Sequence, residues 1–348
     1  MRIRQQIQEI PSALRLTLEK AHAEYEASAR QMRWGDGPIY VCGTGSCAGL
    51  GLAAGYAFET FLGRPVVTAP VEVFQHYGIS LFEPRSVLLM IASASEPPQA
   101  LELAQVARQR GARLLVLTNA PEGALAKAAD QVVLTRAQGD GDAPAVSVCL
   151  HAALNYLALT TARVLKRHEA SWDSLEREIV ELPTQIEWTL TQFPGVIRTM
   201  AAELIQSPRV RIVGGGFYHF PAWRAARRLQ ILPGLPAEGL EASEFLSLQT
   251  GLTRHADRVL FLSGSRSKLR KLVHRSAAQA QVDGARVLSV SDGNDRELAE
   301  QSDLCLRVPA LMEPAGSMLC LALMEWLADE AAEKPQVEPL RPPNPPPG

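Results

Sequence analysis

Short hydrophobic runs alternate along the chain with longer segments whose apolar residues recur at three- and four-residue steps. In the first half the short runs are Ile39–Cys42, Arg64-Pro65-Val66-Val67-Thr68, Ser86–Ala92, Arg113–Thr118 and Gln131–Thr135. Their β-branched and aromatic bias predicts strands. Between them, Ala48–Phe58, Val71–Tyr77, Ala100–Arg110 and Gly123–Ala129 have the spacing of helices. Ahead of the first strand, Ile7, Ile10, Leu14 and Leu18 predict a helical lead-in, with Pro11-Ser12 as a break and restart. Strands that alternate with helices imply a parallel sheet covered on both faces.

The second half repeats this order. Val210–Val213 meets Gly214-Gly215-Gly216, Arg258–Leu262 meets Ser263–Ser267, Arg286–Ser291 meets Asp292-Gly293-Asn294, and Leu304–Val308 precedes an apolar helix at Gly316–Leu327. The lead-ins correspond too: Glu9-Ile-Pro-Ser-Ala-Leu14 with Thr17-Leu18 echoes Glu181-Leu-Pro-Thr-Gln-Ile186 with Thr189-Leu190. A repeat of this length predicts two copies of one α/β domain. The expected division is a helical lead-in at 1–37, a first domain at 38–168, a helical linker at 169–207, a second domain at 208–330 and a proline-rich tail at 331–348.

Composition narrows the classes. The 348 residues carry a net charge of −2 and are 47% hydrophobic, the balance of a globular protein. No basic excess points to nucleic acid and no polybasic run to a lipid surface. Ala143–Ala162 has no formal charge and is nearly long enough to span a bilayer, but Ser147, His151, Asn155, Thr160 and Thr161 interrupt it. A buried core helix is the expectation. The five cysteines lack CxxC spacing and lie mostly in apolar runs, which suits buried thiols in a cytoplasmic, reducing setting and implies no metal or cofactor.

The chemistry concentrates in Pro38–Glu59. Strand, glycine turn and helix start succeed one another there, with Gly43, Thr44, Gly45 and Ser46 at the turn. A first helical turn has unpaired N–H groups and a partial positive charge, glycines admit a close ligand, and Ser46 adds a hydroxyl. Phosphate binding is one reading; a tight connection that binds nothing is the other. Ser93 and Ser95 follow another strand's C-terminal end, where open α/β sheets bind ligands.

These motifs resemble the tandem sugar isomerase (SIS) family, including the isomerase half of glucosamine-6-phosphate synthase and related amino-sugar and fructosamine-phosphate enzymes. The lead-in is matched by Glu9, Pro11, Leu14, Thr17 and Leu18, and the first phosphate loop by Cys42-Gly43-Thr44, Ser46 and Ala48-Gly49-Leu50. Pro65-Val66 with Glu72-Val73-Phe74, and Thr118-Asn119 with Pro121, Leu125-Ala126 and Ala129-Asp130, match later segments. The resemblance implies two SIS domains, each a flavodoxin-like doubly wound parallel sheet flanked by helices. It also implies a phosphorylated sugar or amino sugar held by Ser and Thr hydroxyls, and a homodimer or higher homo-oligomer.

The sequence departs from the family where catalysis is expected. Ser93-Ala94-Ser95-Glu96-Pro97-Pro98 replaces S-x-S-G-E-T, and Pro98 has neither hydroxyl nor N–H. The family's base is a glutamate on the helix after the second glycine loop; here Gln230 or Ile231 occupies that place, and Arg227 or Arg228 replaces its lysine. Ser247 stands where a histidine is expected, and no terminal lysine follows Lys334. Glutamine is no general base at neutral pH, and arginine rarely gives up its proton, though Arg228 can bind a phosphate. Glu238, Glu241 and Glu244 are the nearest carboxylates, with Glu238 and Glu244 the candidates for a relocated base and a solvated acidic patch as the other reading. His219 stands near the same loop. Two functions remain open: a silent phosphosugar-binding protein, and an active isomerase, deaminase or deglycase.

Overall fold

A computed structural model describes residues 3–32, 34–94, 96–167, 169–247 and 255–333. Among these described residues, ten strands form two sheets. The first contains β1 (Ile39–Gly43), β2 (Val66–Thr68), β3 (Val87–Ala92), β4 (Arg113–Thr118) and β5 (Gln131–Leu134) in the order β2-β1-β3-β4-β5. The second contains β6 (Val210–Gly214), β7 (Ala237–Glu241), β8 (Arg258–Leu262), β9 (Arg286–Asp292) and β10 (Leu304–Val308), ordered β10-β9-β8-β6-β7. Read from its other edge, the second order is the same as the first, and every strand pair is parallel. This is the flavodoxin-like arrangement, twice over.

The register places the chemistry. Ile39 pairs with Val87 and Gly43 with Ile91, so β1 and β3 end side by side at the point where the chain reverses its direction across the sheet. Gly214 pairs with Leu262 in the second copy, with the same result for β6 and β8. In each copy a crevice therefore opens beyond the carboxyl ends of the first and third strands.

The strand β7 escapes the sequence pattern. Ala-Glu-Gly-Leu-Glu has no β-branched residue, and its pairing with β6 rather than its own propensity makes it a strand. The repeat carried a signal for it, since Pro65 precedes β2 and Pro236 precedes β7 at matching places. The carbonyls of Pro65 and Pro236 accept from Ile39 N–H and Val210 N–H. The lead-in also differs from expectation. Its break falls at Glu9, and Pro11 lies in the first turn of helix Ile10–Gln31, where a missing N–H costs nothing. That helix closes the edge of β5: Tyr25 Oη and Ser28 Oγ donate to the carbonyls of Leu134 and Val132, and Thr17 Oγ1 accepts from Arg136 N–H.

One hydrophobic core joins the two halves, with smaller clusters on the outer face of each sheet. At its centre lie helices Pro144–Val164 and Glu313–Ala332. The first is the one helix among the described residues long and apolar enough to cross a membrane, and its residues Pro144 to Ala162 are buried within the protein. Both are apolar nearly all round, as the geometry of a central helix requires. All five cysteines are free, four of them buried and Cys305 half-buried.

Candidate functional site

The N-terminal crevice begins at Gly43. A side chain there would place its Cβ 2.0 Å from the carbonyl oxygen of Cys47, so the chain can turn this sharply only with glycine. Gly45 follows with φ +52°, and a short helical turn, Gly45–Cys47, leads into helix Leu50–Leu62. The first N–H groups of such a turn are the donors that a helix start leaves over. Thr44 is buried, donates its N–H to Ile91 O, and has no hydrogen-bond partner for its hydroxyl among the described residues. Ser46 is half-buried.

Ser93 lies beside this turn, 2% exposed, with its hydroxyl on the Cys47 thiol. Burial pushes that thiol up to about 11, against the opposing pull of Ser93 and Arg224. Cys47 is therefore a protonated, unreactive group at neutral pH. Ser95 falls outside the described residues.

The structure adds a cover that the sequence did not announce. Gly141, in the loop between β5 and helix Pro144–Val164, passes so close that a Cβ there would sit 2.3 Å from Ser46 Oγ, 2.9 Å from Ser93 Oγ and 3.1 Å from Cys47 Sγ. The loop lies across both hydroxyls. It is held by Arg224 of the second copy, whose Nη2 donates to Asp142 O at 3.0 Å and whose Nη1 is 3.4 Å from Asp142 Oδ1. Arg224 is 1% exposed and also pairs through Nε with Glu325 Oε1 at 2.7 Å. Burial works against its charge, but Glu325 and Asp142 outweigh burial and raise its pKa. Beside it, Trp223 is packed against the start of the first-copy helix, where a Cβ on Gly49 would meet the indole at 2.2 Å.

Arg224, not Arg228, thus reaches the crevice loop. Arg228 is buried behind it with Nε 2.8 Å from Glu325 Oε2. The contact is an ion pair without hydrogen-bond alignment, since Nε and Nη2 of Arg228 and Oε2 of Glu325 have no hydrogen-bond partner among the described residues. Sequence reasoning chose between Arg227 and Arg228 from motif spacing. The helical period offered a better guide: Phe220, Arg224 and Arg228 share one face of helix His219–Ile231, and all three are buried.

The remaining positions disperse. Gln230, which with Ile231 is one of the two residues set at the expected base position by the resemblance, is exposed and donates through Nε2 to Ala237 O at 2.6 Å. Glu238 pairs with Arg211 at 3.4 Å on the edge strand β7. It stands three residues before the strand's carboxyl end, about 10 Å back from the crevice. Glu244 is exposed on helix Ala242–Ser247, just past that carboxyl end. His219 lies within electrostatic reach of Glu241 and Glu244; burial lowers its pKa, and the two carboxylates oppose that shift. Glu241 also bears on Tyr56 of the first copy, whose ring is 6.0 Å from Phe217. So Glu244 and His219 share a neighbourhood, while Glu238 does not join them.

The SIS domain family model matches residues 35–162 and 203–328. The chain belongs to that family. Its curated relatives include the glutamine–fructose-6-phosphate aminotransferases (isomerizing) of Thermococcus kodakarensis, 24% identical over 283 residues, covering 80% of this chain and 46% of the relative. That of Zymomonas mobilis is 26% identical over 273 residues, with 77% and 44% covered. The chain spans about half the length of these relatives. Among solved structures, the C-terminal domain of glucosamine-fructose-6-phosphate aminotransferase from Francisella tularensis matches with a TM-score of 0.86 at 15% identity, covering 95% of both chains. Tagatose-6-phosphate ketose/aldose isomerase from Escherichia coli gives 0.76 at 15% identity, over 95% of this chain and 92% of the other. These likenesses establish two SIS folds in tandem, as the repeat predicted.

Proposed function

We propose that this SIS protein binds a phosphorylated sugar or amino sugar in its N-terminal crevice, as part of cytoplasmic sugar-phosphate metabolism, and does not isomerise it. The observation that carries this reading is the pairing of a retained cradle with a vacated base. Gly43–Ser46 keeps the sharp turn, the left-handed glycine and two hydroxyls, while the helix opposite presents an exposed Gln230 that is tied to a backbone carbonyl. Proton transfer between adjacent sugar carbons needs a base with an accessible lone pair, and an amide has none to offer. In this reading Ser46 and Ser93 donate to the ester, Thr44 and Gly45 shape its seat, and Arg224 supplies the nearby charge. The Gly139–Asp142 segment must lift from the hydroxyls for the ester to enter. Arg228 then serves the interior of the second copy, through Glu325.

The test is direct. Titration with fructose-6-phosphate and glucosamine-6-phosphate, against the same sugars without phosphate, should raise the melting temperature only with the esters. Ser46→Ala and Ser93→Ala should each weaken binding roughly tenfold or more, the value of a hydrogen bond to a charged group. Equal response to the unphosphorylated sugars would overturn the reading. Incubation in D2O separates silence from catalysis: deuterium entering at C1 or C2 would favour the second reading, an active isomerase or deaminase. The proximity of His219 to Glu244 supports that alternative, with Glu244 as base. We also propose that copies of the chain associate. Val67, Val73, Tyr77 and Leu81 are exposed together around the edge of the first sheet, Tyr77 at 83%. A single monomeric mass in light scattering would contradict it.

A further inference from the structure

The two crevices can be compared atom by atom, because the repeat is geometric as well as sequential. Gly214 answers to Gly43: a Cβ on it would be 2.3 Å from Tyr218 O, as one on Gly43 would be 2.0 Å from Cys47 O. Gly216, at φ +60°, answers to Gly45 at +52°. Phe217 therefore takes the place of Ser46. The loop Ser263-Gly264-Ser265-Arg266-Ser267-Lys268 answers without a gap to Ser93-Ala94-Ser95-Glu96-Pro97-Pro98. Each copy ends in a central helix with proline near its start, and this sets Glu313-Pro314 against Ala143-Pro144.

The second crevice is occupied from within. The Glu313 carboxylate, 6% exposed, accepts from Ser267 Oγ at 2.8 Å and from Lys268 N–H at 3.3 Å, and Phe217 N–H donates to it as well. One hydroxyl and two loop N–H groups converge on a buried anion at the carboxyl end of β6 and β8. These are the kinds of donor that seat a phosphate oxygen. Gly216 is close to the same group, its Cβ position lying 3.1 Å from Glu313 Oε1. The Ser263 hydroxyl, 1% exposed on the same loop, has no hydrogen-bond partner among the described residues. The N-terminal copy has the reverse condition. Proline replaces both donors of the second loop, and Ala143 brings no carboxylate.

We propose that the crevice of the C-terminal copy is a second oxyanion cradle, built for a phosphate or sulfate group, and that Glu313 keeps it filled. The carboxylate acts as a resident ligand. It satisfies Ser267 Oγ and the Lys268 and Phe217 N–H groups, and it excludes phosphate esters from this copy. The proposal concerns residues apart from the N-terminal cradle and does not depend on that cradle binding anything.

The experiment is titration of the 348-residue chain with inorganic phosphate, read by calorimetry and thermal melting, in wild type and Glu313→Ala. The wild-type response is the baseline, whatever the N-terminal crevice contributes. Glu313→Ala should bind phosphate at least roughly tenfold more tightly than wild type, because an anion that competes for charge-assisted donors has been removed. Sulfate should substitute for phosphate. Adding Ser267→Ala to that variant should return the affinity to the baseline. If Glu313→Ala does not fold, Glu313→Ser, a small uncharged replacement in the same first helical turn, carries the same expectation. A folded Glu313 variant with wild-type phosphate affinity would overturn the proposal, and so would a gain that survives Ser267→Ala. Absence of any wild-type response would count against the N-terminal reading alone.

Discussion

His151 should make this protein acid-sensitive by an amount that can be worked out. Its ring is completely buried on the central helix Pro144–Val164, 5.1 Å from Phe220 in an edge-on contact. Neither ring nitrogen has a hydrogen-bond partner among the described residues. Burial alone lowers its pKa from 6.5 to about 3. The sign follows. A depressed pKa means that the folded state holds the neutral ring and the unfolded state takes up the proton first, so the stability is present above 6.5 and is lost as pH falls toward 3. Each unit of that fall costs about 1.36 kcal/mol, so reaching about pH 4.5 removes roughly 2.7 kcal/mol. That is a large share of a typical domain's margin. Carboxylates titrate over part of the same range, so the assay needs a reference lacking only this ring. His151→Leu keeps similar bulk and cannot be protonated. Urea unfolding of both proteins at about pH 7.5 and 4.5 should show the variant's relative stability rising by about 2.7 kcal/mol between the two. An unchanged difference would mean that the imidazole is hydrated or paired in solution, and the reasoning would fail.

Three further substitutions probe the seam between the copies and the cover. Glu325→Ala leaves Arg224 and Arg228 buried without their shared carboxylate and should cost about 3–5 kcal/mol in chemical denaturation, whereas a loss below about 1 kcal/mol would mean that water reaches them. Gly49→Ala drives a methyl group into the Trp223 ring and should cost about 1–3 kcal/mol, with the Trp fluorescence shifted by the displaced indole. Gly141→Ala should push the loop off the Ser46 and Ser93 hydroxyls. The expected sign is a lower melting temperature together with faster hydrogen exchange at residues 139–142, and unchanged exchange there would show that the cover is not in contact.

Much of the architecture was legible because it is written in local patterns. The apolar runs at β1, β3, β4, β6, β8 and β9 need no partner to be recognised, and their repetition gives the two copies. Gly43, Gly45 and Ser46 could be read as a turn for the same reason. What failed was everything decided by a distant neighbour. The strand β7 exists by pairing with β6, and Arg228 is sequestered by Glu325 nearly a hundred residues later. Arg224 reaches across to Asp142 in the other copy, and Glu313 folds back on Ser267. None of those meetings has a periodicity. Glu238 is a similar case: it was chosen as one of the nearest carboxylates in sequence, while the register of β7 sets it three residues back from the strand's carboxyl end and beside Arg211.

The buried course of Glu313–Ala331 has a consequence for how such a chain can change. That helix packs on Pro144–Val164 from the first copy as well as on Pro194–Ile205 and His219–Ile231 from the second. Neither copy therefore owns a finished interior. A tandem chain of this kind can vary at the mouth of either sheet, as the prolines after Ser93 and the carboxylate at 313 illustrate, but it cannot discard half of itself. Truncation would bare an oily helix to water, so variation is confined to the rims of the sheets while the shared centre ties the two copies together.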